Sequence, residues 1–437
     1  MFKPFCFLSC LLVPAHGNEH PIVLVHGFSG WGRDEMGGVK YWGGVQGDLQ
    51  KILRDEGHRV FTASVGPFSS NWDRACELFA QIKGGRVDYG EAHSLKYNHS
   101  RYGREYAGFF PQWGTLDEHG NTQKVHLVGH SMGGQTIRML SQLLAKGTKG
   151  APVNEMQVHS ELFRGGHENW IHSITTFSTP HRGTVLGSAF STASDLVINV
   201  FARFLGLVGT LGASRNRLFD AKLDQWGLKP RQPSEGHREY LKRVFSSGLF
   251  AQTRDFSLFD LSLDGAAEMN VWVHNHPQIF YFSYSTQDTY ESTTLWRMKR
   301  TKVYKPHRRT MLLPFQPLAS FVGGVYTSLI RKLPTWWQPN DGVVNTYSMQ
   351  GSDDSVVHFL GNVLRPQVWN HMPLLDRIDH GSVLGFTMQK DVVDIYRNHA
   401  ALLRALSTDR VSNASAVLLQ SIGDVVGNLG PAVHEMN

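Results

Sequence analysis

The sequence predicts an α/β protein in which a mostly parallel central sheet carries helices on both faces. Three observations point there. Wholly apolar runs of strand length recur along the chain, stretches with helical periodicity separate them, and one strand passes through Gly-His-Ser-Met-Gly directly into a helix. Parallel strands need long crossovers, usually helical, so this alternation reads as a sheet layered between helices.

The first strand is "PIVLVHGF" (Pro21 to Phe28), apolar until it ends in His-Gly. A helical segment with Leu49, Ile52 and Leu53 on one face follows. The next strand is "HRVFTASV" (His58 to Val65). "KVHLVGHSMGGQTIRMLSQLL" (Lys124 to Leu144) then runs from strand through a tight turn into helix. Later apolar runs are "WIHSITTFSTP", "QIFYFSYST" and "DGVVNTYSM". We expect one domain over residues 18–405 with insertions, and a tail over 406–437 whose role the sequence does not specify. The tail holds the sequon Asn413-Ala414-Ser415.

At 437 residues, 41% hydrophobic and 18% charged, the chain is long enough for a sizeable core and too apolar for a disordered protein. A net charge of +6 is mild, and a nucleic-acid-gripping surface would repeat basic clusters with interleaved aromatics. Only one such cluster is present, "RMKRTKVYKPHRR" (Arg297 to Arg309). A solvated loop face is the plainer reading, and attraction to anionic lipid is the alternative. At the N-terminus, "MFKPFCFLSCLLVPAHG" sets one lysine before a short apolar run and ends in Ala15-His16-Gly17. Residues 1–17 therefore read as a secretory signal, with a buried strand as the competing reading. Its removal would take away Cys6 and Cys10, leaving Cys76 alone and the extracellular protein without an internal disulfide. No other segment has the roughly 18 apolar residues a membrane span requires.

"GHSMG" places Ser131 between Gly129 and Gly133. The pattern is weak alone, but the strand entering it and the helix leaving it make it a nucleophile elbow. A serine hydroxyl needs a base, and the base needs an orienting carboxylate, in the chain order Ser, acid, His. "NDGVVNTYSM" offers Asp341 and "DRIDHGSVLG" offers His380, with Asp376 and Asp379 as alternative acids. The oxyanion donors should be the backbone N–H groups of Met132 and Phe28. "EAHSLKYNHSRYG" holds His93 and His99 six apart, and Asn98-His99-Ser100 is also a sequon. Spacing alone leaves sugar, metal or neither open.

The chain resembles the thermoalkalophilic, zinc-containing bacterial lipases, with staphylococcal lipases as relatives. "PIVLVHGFSGWGRDEMGGVKYWGG", "VGPFSSNWDRACELFAQIKGGRVDYGEAH", "LDQWGLKP", "FDLSLDGAAEMN" and "NDGVVNTYSM" carry the resemblance, which covers about His20 to Leu403. It implies an α/β-hydrolase fold, hydrolysis of triacylglycerols at a lipid–water interface, and a Ser131, Asp341, His380 triad. It also implies a structural zinc in a subdomain near 70–105 and 255–262, with Asp73, His93, His99 and Asp260 as ligands. Two imidazoles and two carboxylates suit a closed tetrahedral site, and a buried His99 would leave the Asn98 sequon silent. The family also has a helical lid. Residues 187–209 fit it, with Leu196, Val197, Val200, Phe201 and Phe204 on an apolar face opposite Asp195, Asn199 and Arg203; a core helix is the plainer alternative. The family's calcium carboxylates fall here at Ser382 and Thr387, so that site is expected to be lost. Other readings are an esterase, phospholipase or acyltransferase with the same triad, or a catalytically inactive lipid-binding protein.

Overall fold

A computed structural model describes residues 17–406 apart from 156–158, 190–198, 200–202, 207, 210, 212–218, 233, 250–252, 330–331, 353–354, 360–363 and 389. Apart from Gly17 and Leu406, the proposed signal and tail lie outside the described residues. In chain order the strands are β1 (Ile22–Val25), β2 (Val60–Ala63), β3 (Gly85–Asp88), β4 (Tyr102–Tyr106), β5 (Val125–His130), β6 (Ile171–Phe177) and β7 (Phe280–Tyr284). They continue as β8 (Thr286–Gln287), β9 (Thr289–Trp296), β10 (Lys299–Pro306), β11 (Val356–His358), β12 (Trp369–His371) and β13 (Leu375–Asp376). Seven strands form the central sheet in the order β11-β12-β7-β6-β5-β1-β2, and every pairing between them is parallel.

Both faces of this sheet are covered, which is why its strands are apolar throughout rather than alternating. Leu24, Val128, Phe177 and Phe282 pack into one core, and Val23, Val25, Leu127, Ile174 and Tyr281 into the other. The helices that matter for the site are α1 (Leu49–Asp55), α2 (Asn71–Lys83), α3 (Glu91–Tyr97), α4 (Met132–Lys146), α5 (Leu263–Trp272) and α6 (Val393–Ala405). Among the described residues no helix is long and apolar enough to cross a membrane.

Two elements depart from the sequence reading. "DGVVNTYSM" is not a strand: it is a turn leading into a 3-10 helix at Thr346–Met349. The Asp341 carboxylate draws the Val343 and Val344 N–H groups onto itself and bends the backbone away from extension. The basic run is not a loop either, because most of it forms the antiparallel ribbon β9–β10.

Candidate active site

The β5–α4 junction is tighter than any side chain at its glycines would allow. A Cβ on Gly133 would lie 2.2 Å from the Val25 carbonyl oxygen, and one on Gly129 would lie 2.5 Å from the Gly133 carbonyl carbon. The close approach lets β5 turn directly into α4, with Ser131 at φ 55° and ψ −129° on the apex. A non-glycine residue at positive φ is strained and persists only where its surroundings hold it. Here the Ser131 N–H donates to the Phe177 carbonyl on β6 at 2.8 Å.

The structure brings three distant residues together at this apex. His380 Nε2 lies 3.0 Å from Ser131 Oγ, and His380 Nδ1 lies 2.8 Å from Asp341 Oδ2. Asp341 is fully buried and its carboxylate is well supplied with donors. Thr286 Oγ1 donates to Oδ2 at 2.8 Å, while the Val343 and Val344 N–H groups donate to Oδ1 at 3.0 and 2.8 Å. The His380 N–H donates to the Asp341 carbonyl, so the two loops are also joined through the backbone. The alternative acids are occupied or remote. Asp379 accepts from the Leu312, Gly381 and Ser382 N–H groups, and burial pushes its carboxyl up to about 6. Asp376 is exposed.

Val25 pairs with Gly129, which sets the end of β1 beside the elbow. Met132 is the first residue of α4, where the N–H has no partner within the helix. Phe28 lines the same pocket as Ser131. A bond that the sequence did not suggest ties this strand end to the histidine. The Gly27 N–H donates to the Tyr41 hydroxyl at 3.0 Å, and that hydroxyl lies 2.7 Å from His130 Nδ1. His130 Nε2 is 3.1 Å from the His380 carbonyl oxygen. Burial, then the neighbouring His380, pushes the His130 imidazole well below its usual range, so it is neutral. A neutral ring that accepts at Nδ1 and donates at Nε2 fits both contacts. Arg74, from α2, donates to the His26 and Gly66 carbonyls and holds the same strand end from the other side.

The pocket over Ser131 is apolar. Phe28, Leu186, Phe204, Leu258, Phe315 and Val343 line it together with the serine and histidine. Of the expected lid positions, Leu196, Val197, Val200 and Phe201 lie outside the described residues. Residues 203–206 are helical, and Phe204 is buried within 5.3 Å (ring centroids) of both Phe315 and Phe386.

About the second cluster, the structure differs from expectation in one ligand. Asp73 on α2, His93 on α3 and His99 just beyond α3 meet as expected, but the fourth partner is Asp255 and not Asp260. His93 Nε2 lies 3.3 Å from Asp73 Oδ1 and 3.2 Å from Asp255 Oδ2, and His99 Nε2 lies 4.0 and 3.4 Å from the same atoms. Asp260 faces elsewhere: its Oδ2 accepts the Asn71 N–H at the start of α2. Burial pushes its carboxyl up to about 7. Both aspartates stand in "RDFSLFDLS", and nothing in that string says which turns inward.

The four donors fit a tetrahedral ion. Ligands at about 2.05 Å from a tetrahedral zinc would be about 3.3 Å apart, close to three of the four separations. Asp73 Oδ1 and His99 Nε2 are buried without a hydrogen-bond partner, as atoms waiting for a metal would be. Around them, Gln225 donates to Asp73 Oδ2 at 3.0 Å, His99 Nδ1 is 2.9 Å from the Ser100 carbonyl, and the Trp72 ring stacks on His93. Such outer contacts orient metal ligands. The His99 side chain is fully buried, while Asn98 itself is exposed.

A family model described as lipase-like, C-terminal domain, matches residues 18–415. "Lipase 1" of Staphylococcus aureus (strain NCTC 8325 / PS 47) is 36% identical over 376 residues, 84% of this chain and 51% of that protein. The chain thus spans about half the length of the curated relatives it matches. Among solved structures, EstA from Clostridium botulinum is 41% identical with a TM-score of 0.78, covering 90% of this chain and 89% of that one. Lipase 1 from Pelosinus fermentans is 41% identical with a TM-score of 0.75, covering 89% and 100%.

Proposed function

We propose that this chain, which belongs to the lipase-like family matched over residues 18–415 and has the α/β-hydrolase fold, is a secreted lipase that hydrolyses carboxylic esters such as triacylglycerols. The observation that carries the reading is the Ser131–His380–Asp341 chain of contacts at the floor of an apolar pocket. In the reaction Ser131 Oγ attacks the ester carbonyl while His380 Nε2 takes its proton. The Met132 and Phe28 N–H groups receive the oxyanion, and His380 then protonates the departing alcohol. Water repeats the sequence on the acyl-enzyme. Asp341 keeps the Nδ1 proton in place and stabilises the imidazolium, and its three other donors hold the carboxylate in position. A serine-reactive fluorophosphonate should label Ser131, and esters of graded chain length should be cleaved with and without an emulsion. Absence of labelling would favour an inactive lipid binder. Cleavage confined to short soluble esters would favour an esterase.

Phe204, the one expected lid position among the described residues, supports action at a lipid surface. Phe204 packs against Phe315 and Phe386 over the nucleophile, and an interface would give those rings an alternative place to be buried, shifting the closed state to open. Replacing Val200 and Phe204 with serine should reduce activity on emulsions about tenfold more than on soluble short esters. Equal losses on both would make the segment a fixed core helix.

The zinc reading assigns Asp73, His93, His99 and Asp255 a structural role. Two carboxylates and two neutral imidazoles would balance the charge of a zinc ion and leave no open position on it for catalysis. Calcium is expected to have no comparable effect. The loop beyond His380 is held by a side chain instead: Gln46 Nε2 donates to the Thr387 and Lys390 carbonyls at 2.5 and 2.6 Å, and Gln46 Oε1 accepts the Val392 N–H. Millimolar calcium should therefore move the Tm of zinc-loaded protein no more than magnesium does. A calcium-specific rise abolished at Ser382 or Thr387 would show a working site.

A further inference from the structure

The ribbon β9–β10 leaves the body of the protein beside the catalytic acid. Its root is pinned there: the Asp288 N–H donates to the Asn340 carbonyl, and the His307 N–H donates back to the Asp288 carbonyl. From that root eight residue pairs run antiparallel, from Thr289↔Pro306 to Trp296↔Lys299, a reach of about 25 Å. Burial falls along it, from a buried Thr289 and Pro306 to a tip, Leu295 to Arg300, in which every residue is exposed. Leu295 is 73% and Met298 is 93% exposed, and Trp296 is exposed beside them.

Three features of the tip are unusual for a surface ribbon. First, its composition is mixed in a particular way. Leu295 stands directly opposite Arg300, and Trp296 opposite Lys299, so on each face one large apolar side chain sits next to one cation. The Arg297 guanidinium lies 6.0 Å from the Trp296 ring centroid. Second, charge is one-sided. Residues 289–306 contain Arg297, Lys299, Arg300, Lys302 and Lys305 but only one acid, Glu291, and that acid is already paired with Lys302 at 2.6 Å. Third, the turn is made from the wrong residues for its own stability. Arg297 and Met298 occupy the two central positions at φ 47° and 65°, where Asn-Gly would adopt the same two-residue turn without strain. Strain retained in a surface turn points to what its side chains do.

We propose that the tip of this ribbon is an anchor for anionic phospholipid surfaces, with Leu295, Trp296 and Met298 entering the headgroup boundary and Arg297, Lys299 and Arg300 on the lipid phosphates. Tryptophan and long cationic side chains suit such a boundary, where one end of the group is apolar and the other wet. An exposed leucine and methionine at a ribbon tip are otherwise an aggregation liability. Clustered cations rule out a basic partner and favour an anionic one. The lid over Ser131 is a separate element, so the ribbon supplies adsorption where the lid supplies opening. This deepens the lipid-surface reading above, yet its test reads binding and not turnover.

The test is sedimentation of the full chain carrying Ser131→Ala with vesicles of phosphatidylcholine alone or mixed equally with phosphatidylglycerol, at about 0.1 M salt. The parent should bind the anionic vesicles, and Arg297→Gln with Lys299→Gln and Arg300→Gln should weaken binding about 100-fold. Leu295→Ser with Trp296→Ser and Met298→Ser should weaken it on the same vesicles by at least tenfold. With Ser131 restored, both hairpin variants should cleave a soluble short ester within twofold of the parent, which shows that they are folded. Equal binding to both vesicle types, no binding to either, or unchanged binding by the two variants would overturn the proposal. So would self-association of the parent that the variants abolish, because the tip would then be a contact between copies. Failure of the unsubstituted chain, with Ser131 intact, to cleave any ester while anionic binding persists would instead overturn the lipase reading and leave the anchor standing.

Discussion

Ser131→Ala should lower kcat for any ester substrate by about 10⁴-fold or more while leaving the melting curve unchanged. The size follows from the arrangement: the hydroxyl is 3.0 Å from its base, and the base is 2.8 Å from its orienting carboxylate. Groups that act as one unit lose nearly everything when one is removed. Asp341→Asn should leave the loop in place, because its amide oxygen still accepts from Val343 and Val344, yet it disfavours the tautomer His380 needs. We expect a fall of about 10³- to 10⁴-fold in kcat at neutral pH. Asp379→Asn should cost activity much less, since that carboxyl touches neither the serine nor the histidine ring. Substantial ester hydrolysis by Ser131→Ala, or a larger loss at Asp379 than at Asp341, would reject this assignment.

Zinc removal should produce the second large effect, and on stability. A ligand held at about 1,000 times its Kd adds about 4 kcal/mol to the folded state, which in a chain of this size is worth about 5 °C in Tm. Elemental analysis should find close to one zinc per chain. The two candidate aspartates give the sharper comparison. Asp255→Asn should lose the metal and the stability together, because Asp255 Oδ2 is within 3.4 Å of both imidazoles. Asp260→Asn should keep the zinc, since that side chain only caps Asn71. Initial rates at moderate temperature should fall less than Tm in the metal-free protein, because no ligand touches the Ser131 pocket. A metal-free protein with an unchanged melting temperature would remove the structural role.

How much of this was legible beforehand depends on how local each feature is. The elbow was legible because its demands are covalent neighbours: two glycines, a serine, an apolar strand before and a helix after. The triad order was read from the chain order this kind of fold uses, although choosing Asp341 over Asp376 and Asp379 needed either a resemblance or the coordinates. Only the folded chain shows that Asp379 is taken up by three backbone N–H groups. The Tyr41–His130 link was not legible at all, because it joins residues 89 apart that no sequence pattern relates.

The sequence by itself pointed to the class of fold and the candidate nucleophile, because apolar periodicity and short motifs act through neighbouring residues; Asp73, His93 and His99, which the structure brings together, came from the family resemblance and not from their spacing. Tertiary structure alone decided which aspartate joins Asp73, His93 and His99, that the Asp341 segment is a turn rather than a strand, and that the basic run is a projecting ribbon. In each of these the outcome rests on partners far away in the chain. Asn71 claims Asp260 across 189 residues, and Asp255 reaches His93 across 162. The ribbon has no turn-forming dipeptide to announce it, and its register is held by strand pairing and a root anchored at Asn340. Which of two equivalent side chains faces inward is a matter of packing geometry, and packing is not written in any local stretch of sequence.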